Sequence, residues 1–298
     1  MTQDTNSIPN AANGPKVNVV LVQIRPAPAD DVIGQCAHMR ELVLKAVGEG
    51  PTDIVVLPEM WNTPTTHDQL VKYAEPIPPL GTAEAEWPEA AYTCRQLAAV
   101  AREANIWLVG ASPNSRTGGG TTLRRYGRHQ KYRKAHLFDL CLPKMTYRES
   151  DTFSAGNKLA TFDTPFGRFG LAICYDLRFA EIAMLAARQG CVGVFYPAAF
   201  NTHTGPLHWE LLQRARALDN QIYIATCSCA RDETAKYVIY GHSMAVDPMG
   251  RVVASAEEKE TIVRLTFDPN IIAETRAGIP LLEQRRFDLY PNIATLPM

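Results

Sequence analysis

Two residues suited to hydrolytic chemistry stand directly after apolar runs. Glu59 follows Ile54-Val-Val-Leu57 and Pro58, and Cys174 follows Leu171-Ala-Ile173 and precedes Tyr175-Asp176. In open α/β sheets ligands lie beyond the carboxyl ends of the strands, so both positions fall where a site would be built. A carboxylate there can take the proton of a thiol, and the sulfur can attack a carbonyl carbon. Each residue also has a plain structural role open to it. The glutamate could cap a helix or form a salt bridge, and the thiol could pack as a small hydrophobe. A third segment is Lys131-Tyr-Arg-Lys134-Ala-His136-Leu-Phe138. It could be a solvated basic edge strand. Yet alternation puts Tyr132, Lys134 and His136 on one face, and an inward lysine needs a carboxylate or a developing oxyanion.

The elements that must position these residues alternate along the chain. β-Branched and apolar runs predict strands over 17–24, 53–57, 106–109, 192–196 and 222–227, with a hairpin of 159–162 and 169–173 around Pro165-Phe-Gly167. Helical spacing predicts helices over 35–47, 84–104, 179–188, 206–218 and 270–277. Residues 243–267 should hold two strands around a Pro248-Met-Gly250 turn. Such alternation favours an α/β fold whose mixed sheets are covered by helices. With no repeat and no Pro/Gly/Ser linker, 16–298 reads as one domain behind a mobile tail over 1–15, with a carboxyl-terminal tail from about 280.

Three signatures carry a resemblance. Pro58-Glu59, Arg133-Lys134-Ala-His136-Leu-Phe-Asp139 and Cys174-Tyr-Asp-Leu-Arg-Phe-Ala-Glu181 resemble the Glu–Lys–Cys motifs of the nitrilase superfamily of carbon–nitrogen hydrolases. The segments from Phe200 to Arg216, Asp219-Asn-Gln221, Tyr240-Gly-His-Ser243 and Gln284-Arg-Arg-Phe-Asp-Leu-Tyr290 resemble its ω-amidase branch. The resemblance implies a four-layer α-β-β-α sandwich that pairs into a homodimer through the helix after Cys174 and the tail around 285–290. It implies hydrolysis of α-keto-ω-amides such as α-ketoglutaramate and α-ketosuccinamate to the keto-diacid and ammonia. Cys174 is then the nucleophile, Glu59 the acid–base, and Lys134 the oxyanion partner together with a backbone N–H near Tyr175. Glu149 matches a supporting glutamate. Arg178, Phe200 and Thr204 are candidate substrate-binding residues; Arg178 is chosen because guanidinium takes carboxylates bidentately, and a salt bridge to Asp176 or Glu181 is its structural alternative.

The resemblance leaves rivals open: a deaminated-glutathione amidase or other superfamily amidase, a non-catalytic scaffold of the same fold, or a Cys–His–Asp hydrolase using His208 or His242. It also departs from the family between Ser112 and Lys134. The stretch over 118–130 is short and basic there, and 140–144 is one residue shorter than usual. Both changes flank Lys134, which predicts a Lys134 region more mobile than the Glu59–Cys174 pair, and slow thioester formation.

Composition narrows the partners. The 298 residues carry 30 Lys+Arg against 31 Asp+Glu, a formal net charge of -1, which argues against nucleic acid or an anionic membrane as main partner. No apolar run approaches a membrane span, and 1–15 lacks the apolar core of a secretory signal. Seven cysteines, an odd number in mostly apolar surroundings, suit a reducing cytoplasm better than a disulfide framework. Cys227-Ser-Cys229 with His242 has the wrong spacing for a zinc site, and two packed strand cysteines are the expected reading. Neither metal nor cofactor is required by the implied chemistry; a small amide is the expected partner.

Overall fold

The computed structural model describes residues 14–28, 30–64, 72–79, 81–112, 120–125, 128–142 and 145–290. The first half of the chain runs β1 (Val17–Gln23), α1 (Val32–Glu49), β2 (Ile54–Val56), α2 (Tyr92–Glu103), β3 (Trp107–Ser112), β4 (Gly120–Arg125) and β5 (Arg128–Arg133). A small hairpin follows, β6 (Asp139–Leu142) and β7 (Met145–Arg148). The second half runs β8 (Ala160–Thr164), β9 (Gly167–Leu171), α3 (Ala180–Arg188), β10 (Cys191–Ala198), α4 (Gly205–Asn220), β11 (Tyr223–Ser228), β12 (Met244–Val246), β13 (Val252–Ser255), β14 (Thr261–Phe267), α5 (Pro269–Gly278) and α6 (Leu281–Gln284).

Two six-stranded sheets result, ordered β14-β1-β2-β3-β4-β5 and β13-β12-β11-β10-β9-β8. Each has a parallel centre, β1-β2-β3 and β9-β10-β11, with antiparallel edges. Parallel strands are buried on both faces, and the sequence shows which face goes where. Val17, Val19 and Leu21 of β1, Ile54 and Val56 of β2, and Trp107 and Val109 of β3 join the core between the sheets. The alternate residues Val20, Val22, Val55 and Leu108 pack instead on Met39 and Val43 of α1 and Leu97 of α2. Helices α3 and α4 cover the other sheet, which completes the α-β-β-α sandwich expected from the sequence. Phe267 is the keystone of the middle layer: its ring stacks on Tyr223 at 4.2 Å and Phe195 at 5.9 Å. Gly193 makes room for it, since a Cβ there would stand 3.0 Å from the Phe267 ring.

Two element predictions need correction. The single helix over 84–104 is a short 3₁₀ turn at Glu84–Glu86 and then α2; Pro88 forces Trp87 into extended backbone (φ -70, ψ 137), which ends the first turn. Residues 243–267 hold three strands rather than two. The charged turn Glu257-Glu-Lys-Glu260 lets β14 leave the second sheet and pair antiparallel with β1 in the first. The short basic stretch before Lys134 still forms two strands, β4 and β5, antiparallel to β3 and to each other. The predicted amino-terminal tail lies outside the described residues up to residue 13, as does 291–298. Among the described residues no helix is long and apolar enough to cross a membrane.

Candidate active site

Glu59, Lys134 and Cys174 come from three separate strand ends and meet in one buried place. β2 runs into Leu57, whose N–H donates to Val109 O at 2.8 Å, and delivers Glu59 two residues later. Met60 then turns with φ 58, and Gln35 of α1 holds the far side by donating to Trp61 O at 2.8 Å. Lys134 is the first residue after β5. Its carbonyl accepts from Gly156 N at 2.8 Å, an approach only glycine permits, because a Cβ at 156 would lie 2.3 Å from Arg133 O. Cys174 follows β9 and opens a 3₁₀ turn over Cys174–Arg178 with φ 41, a conformation that strains any side chain but glycine. Arg216 of α4 closes that turn by donating to Leu177 O at 3.0 Å and Arg178 O at 2.8 Å.

The charges interlock. Lys134 Nζ lies 3.0 Å from Glu59 Oε1 and 3.0 Å from Glu149 Oε2, with all three side chains buried. Glu149 also accepts from Phe138 N at 2.6 Å. The Cys174 thiol lies close enough to Glu59 and Lys134 to feel both charges, and its Sγ accepts from Ala199 N at 3.4 Å. Burial pushes Lys134 down, but Glu149 and Glu59 outweigh it and hold the ammonium well above the usual lysine range. Burial raises Glu59, and the nearby Glu149 charge adds to that against the pull of Lys134. Burial, followed by the Glu59 charge, lifts the Cys174 thiol far above its ordinary value. The resting site is therefore a thiol beside a basic carboxylate and a fixed cation.

This arrangement supports proton transfer from Cys174 to Glu59 during attack, with an ammonium in reach of the oxygen that becomes negative. Lys134 is held by both carboxylates. Residues 113–119 and 126–127, on which the expected mobility of this region also rests, lie outside the described residues.

The other sequence-predicted positions lie along the Cys174 turn and at the start of α4. Tyr175 packs against Phe138, with ring centroids 5.1 Å apart. Arg178 forms neither of its alternative salt bridges. Its guanidinium donates to His208 Nδ1 at 3.0 Å and lies over the Phe200 ring at 4.8 Å and the Tyr175 ring at 5.5 Å. Thr204 caps α4 and donates both N–H and Oγ1–H to Asn201 Oδ1, at 2.8 and 3.0 Å. His208 is thus engaged with Arg178, and His242 stacks on Tyr240 at 4.2 Å, so both histidines have partners other than Cys174. Cys227 and Cys229 are buried thiols, the first donating to Val22 O and Val56 O and the second to Glu59 O. Among the described residues no group of His, Cys, Asp and Glu is placed to hold a metal.

Sequence reasoning missed Tyr237. It is partly buried, close to Cys174, Glu59 and Lys134, and its hydroxyl donates at 3.0 Å to the carbonyl of Ala199, whose N–H faces the sulfur. It lies in the irregular segment between β11 and β12, where no periodicity marks an inward residue. Asp176 was legible only as part of a motif; its hydrogen bonds had no signal in the sequence.

Two sheets meeting at a buried Glu–Lys–Cys centre define a carbon–nitrogen hydrolase architecture, and comparison with known proteins agrees. The profile of the carbon-nitrogen hydrolase family matches residues 18–277, and the chain belongs to that family. Among its relatives, the chain is 43% identical over 282 residues to the human omega-amidase NIT2, covering 92% of this chain and 96% of that protein. It is 41% identical over 288 residues to omega-amidase NIT3 of Saccharomyces cerevisiae, covering 93% and 96%. The crystal structure of Saccharomyces cerevisiae Nit3, a member of branch 10 of the nitrilase superfamily, superposes with a TM-score of 0.83 at 40% identity, over 94% of this chain and all of that one.

Proposed function

We propose that the protein is an ω-amidase that hydrolyses α-keto-ω-amides, such as α-ketoglutaramate and α-ketosuccinamate, to the keto-diacid and ammonia through a thioester on Cys174. The observation that carries this reading is the buried Lys134 held at 3.0 Å by Glu59 and by Glu149 beside the Cys174 thiol. The resemblance of the chain to proteins named omega-amidase supports the substrate class.

The amide carbonyl enters with its oxygen toward Lys134. Cys174 gives its proton to Glu59 as the sulfur bonds to the carbonyl carbon, and the carbon–oxygen pair moves onto oxygen. The ammonium of Lys134 and the Tyr175 N–H, at the start of a turn whose first N–H groups lack intrahelical acceptors, stabilise that oxyanion. As the intermediate collapses, the carbon–nitrogen bond breaks and Glu59 returns the proton to the departing nitrogen, releasing ammonia. Water then gives a proton to Glu59 and its oxygen attacks the thioester. Collapse breaks the carbon–sulfur bond, and the thiolate regains the proton. A raised Glu59 suits both proton transfers, since a more basic carboxylate accepts from thiol and water more readily. At the far end of the substrate, Arg178, steadied by His208 and stacked on Phe200, pairs with the terminal carboxylate, with Thr204 beside it.

Two further readings attach to this one. The protein acts as a homodimer: Leu185 of α3 and Leu207, Leu211 and Leu218 of α4 are exposed apolar residues, and Phe287 of the tail packs under Arg188 of α3 at 4.3 Å. It works in the cytoplasm, where its seven unpaired cysteines stay reduced. Ammonia release from α-ketoglutaramate, glutamine and a simple nitrile, measured side by side, tests the activity. Strong preference for α-ketoglutaramate is expected, and equal rates on glutamine or the nitrile would overturn it.

A further inference from the structure

We propose that Asp176 is a positioning residue that clamps the Lys134 segment to the Cys174 turn and so fixes the lysine relative to the sulfur. The proposal rests on the assignment of Glu59, Lys134 and Cys174 to the reaction. Asp176 is fully buried and accepts four hydrogen bonds from two parts of the chain about forty residues apart. Oδ1 accepts from His136 N at 3.0 Å and lies 2.9 Å from His136 Nδ1. Oδ2 accepts from the Tyr132 hydroxyl at 2.8 Å and from Ile173 N at 3.0 Å.

The donors bracket both reacting groups. Ile173 immediately precedes Cys174. Tyr132 and His136 stand two residues to either side of Lys134, and the Tyr132 oxygen accepts from Ala135 N at 3.2 Å. One carboxylate therefore holds, directly or through Tyr132, the two N–H groups after Lys134 and the N–H before the nucleophile. The His136 ring lies flat on Phe179, with centroids 3.5 Å apart and 9° between planes, which joins the same segment to the far end of the turn. The loop after β5 and the turn after β9 come from different sheets, and Asp176 ties them together directly.

The chemistry of the group matters as well as its shape. An ionised carboxylate is acceptor-only and can satisfy all four donors. An amide cannot. Whichever way an asparagine is turned, its NH₂ faces either Ile173 N–H or His136 N–H, and neither backbone group can reverse its role. The Tyr132 hydroxyl and the His136 ring could reorient, but one end of the clamp would still open. Because a displacement of about 1 Å at a reacting group costs on the order of 10² in rate, an opened clamp should register in turnover before it registers in binding.

The test compares Asp176→Asn, Tyr132→Phe, the double variant and Cys174→Ala with the wild-type chain. Iodoacetamide labelling of Cys174, run to completion, counts competent sites, and its initial rate is a second readout. Turnover uses whichever of α-ketoglutaramate or glutamine the wild type hydrolyses faster. Expected for Asp176→Asn is a fall of about 10² in kcat per labelled site with KM within about threefold, and labelling slowed about tenfold because the thiolate loses its fixed cation. Tyr132→Phe, which keeps the carboxylate, should lose roughly tenfold in kcat, and the double variant should be no worse than Asp176→Asn, since both open one clamp. Unchanged kcat per labelled site with fewer sites would reduce Asp176 to fold support and overturn the proposal. So would losses that multiply in the double variant. If Asp176→Asn does not fold, Tyr132→Phe decides alone: an unchanged kcat and labelling rate overturn the clamp. An active Cys174→Ala is a different failure, since it removes the catalytic assignment itself.

Discussion

Replacing Lys134 with glutamine should make the folded protein sensitive to pH in a specific direction. The substitution leaves Glu59 and Glu149 facing the place where Nζ stood. Both carboxylates lie 3.0 Å from that atom, so their oxygens are within about 6 Å of each other. At an effective dielectric of about 20, two like charges at that separation repel by about 3 kcal/mol. The pair relieves this by retaining a proton that the unfolded chain has already lost. A carboxyl whose folded pKa lies above its unfolded value contributes stability that is present below the unfolded value and lost as pH rises through the folded one. The variant's deficit against wild type should therefore grow with pH, at up to about 1.4 kcal/mol per pH unit while one extra proton is held. Removing one partner of a buried ion pair costs roughly 3–5 kcal/mol, which is the deficit expected near pH 8. Near pH 5 it should shrink to about 1–2 kcal/mol. Urea denaturation of both proteins at pH 5, 6, 7 and 8 measures it. A deficit that stays constant over that range would refute the account of the site as two carboxylates sharing one cation. Ammonia release should fall by at least about 10³, since an oxyanion donor and the ionised base are lost together.

Other substitutions probe the remaining groups. Cys174→Ala should abolish turnover and leave the fold intact, and retention of more than a few per cent of wild-type ammonia release would remove Cys174 as nucleophile. Cys174→Gly should be at least as stable as Cys174→Ala in thermal denaturation, the reverse of the usual order, because φ at 174 is 41. Arg178→Lys should raise KM for a keto-acid amide roughly tenfold and leave a neutral amide of equal length unaffected, as expected when a bidentate pairing is lost; an unchanged KM would free Arg178 from substrate recognition. Tyr237→Phe should lower kcat about 3–10-fold, since one hydrogen bond that orders Ala199 is lost, and an unaltered kcat would mean that Ala199 needs no such support.

Much of the layer architecture could be read from the chain because parallel strands buried on both faces leave β-branched runs such as Val17 to Val22, and strand ends follow those runs. Glu59 and Cys174 were visible for that reason. Glu149 could be named only by resemblance, since nothing in Tyr147-Arg-Glu149 distinguishes an inward glutamate from a solvated one; its burial against Lys134 is a product of the fold. The helix predicted across 84–104 went wrong where periodicity outweighed the local effect of Pro88 on Trp87. β14 was missed because its partner β1 lies more than two hundred residues away, a distance over which short-range pattern carries no information. Tyr237 and the four hydrogen bonds of Asp176 belong to the same class: they are made across segments that only tertiary packing brings together.

The site's composition explains its dependence on the whole sandwich. Glu59 and Lys134 hang from the first sheet and Cys174 from the second, so the distance between carboxylate and thiol is set by how the sheets pack. That packing is rigid where it matters: Phe267 of β14, in the first sheet, stacks on Phe195 and Tyr223 of the second, and Gly193 admits no larger side chain beneath it. The backbone beside these groups is held in conformations that resist relaxation, Cys174 at φ 41 and the residue after Glu59 at φ 58. Backbone strain of this kind, on the order of 1–2 kcal/mol at each position, persists only where surrounding contacts over-determine it. Here those contacts are the Arg216 bonds on one end of the Cys174 turn and the Gln35 bond behind the glutamate. Burial of four ionisable groups is costly, and they compensate one another: the Lys134 cation answers the carboxylates of Glu59 and Glu149, and burial keeps the Cys174 thiol neutral.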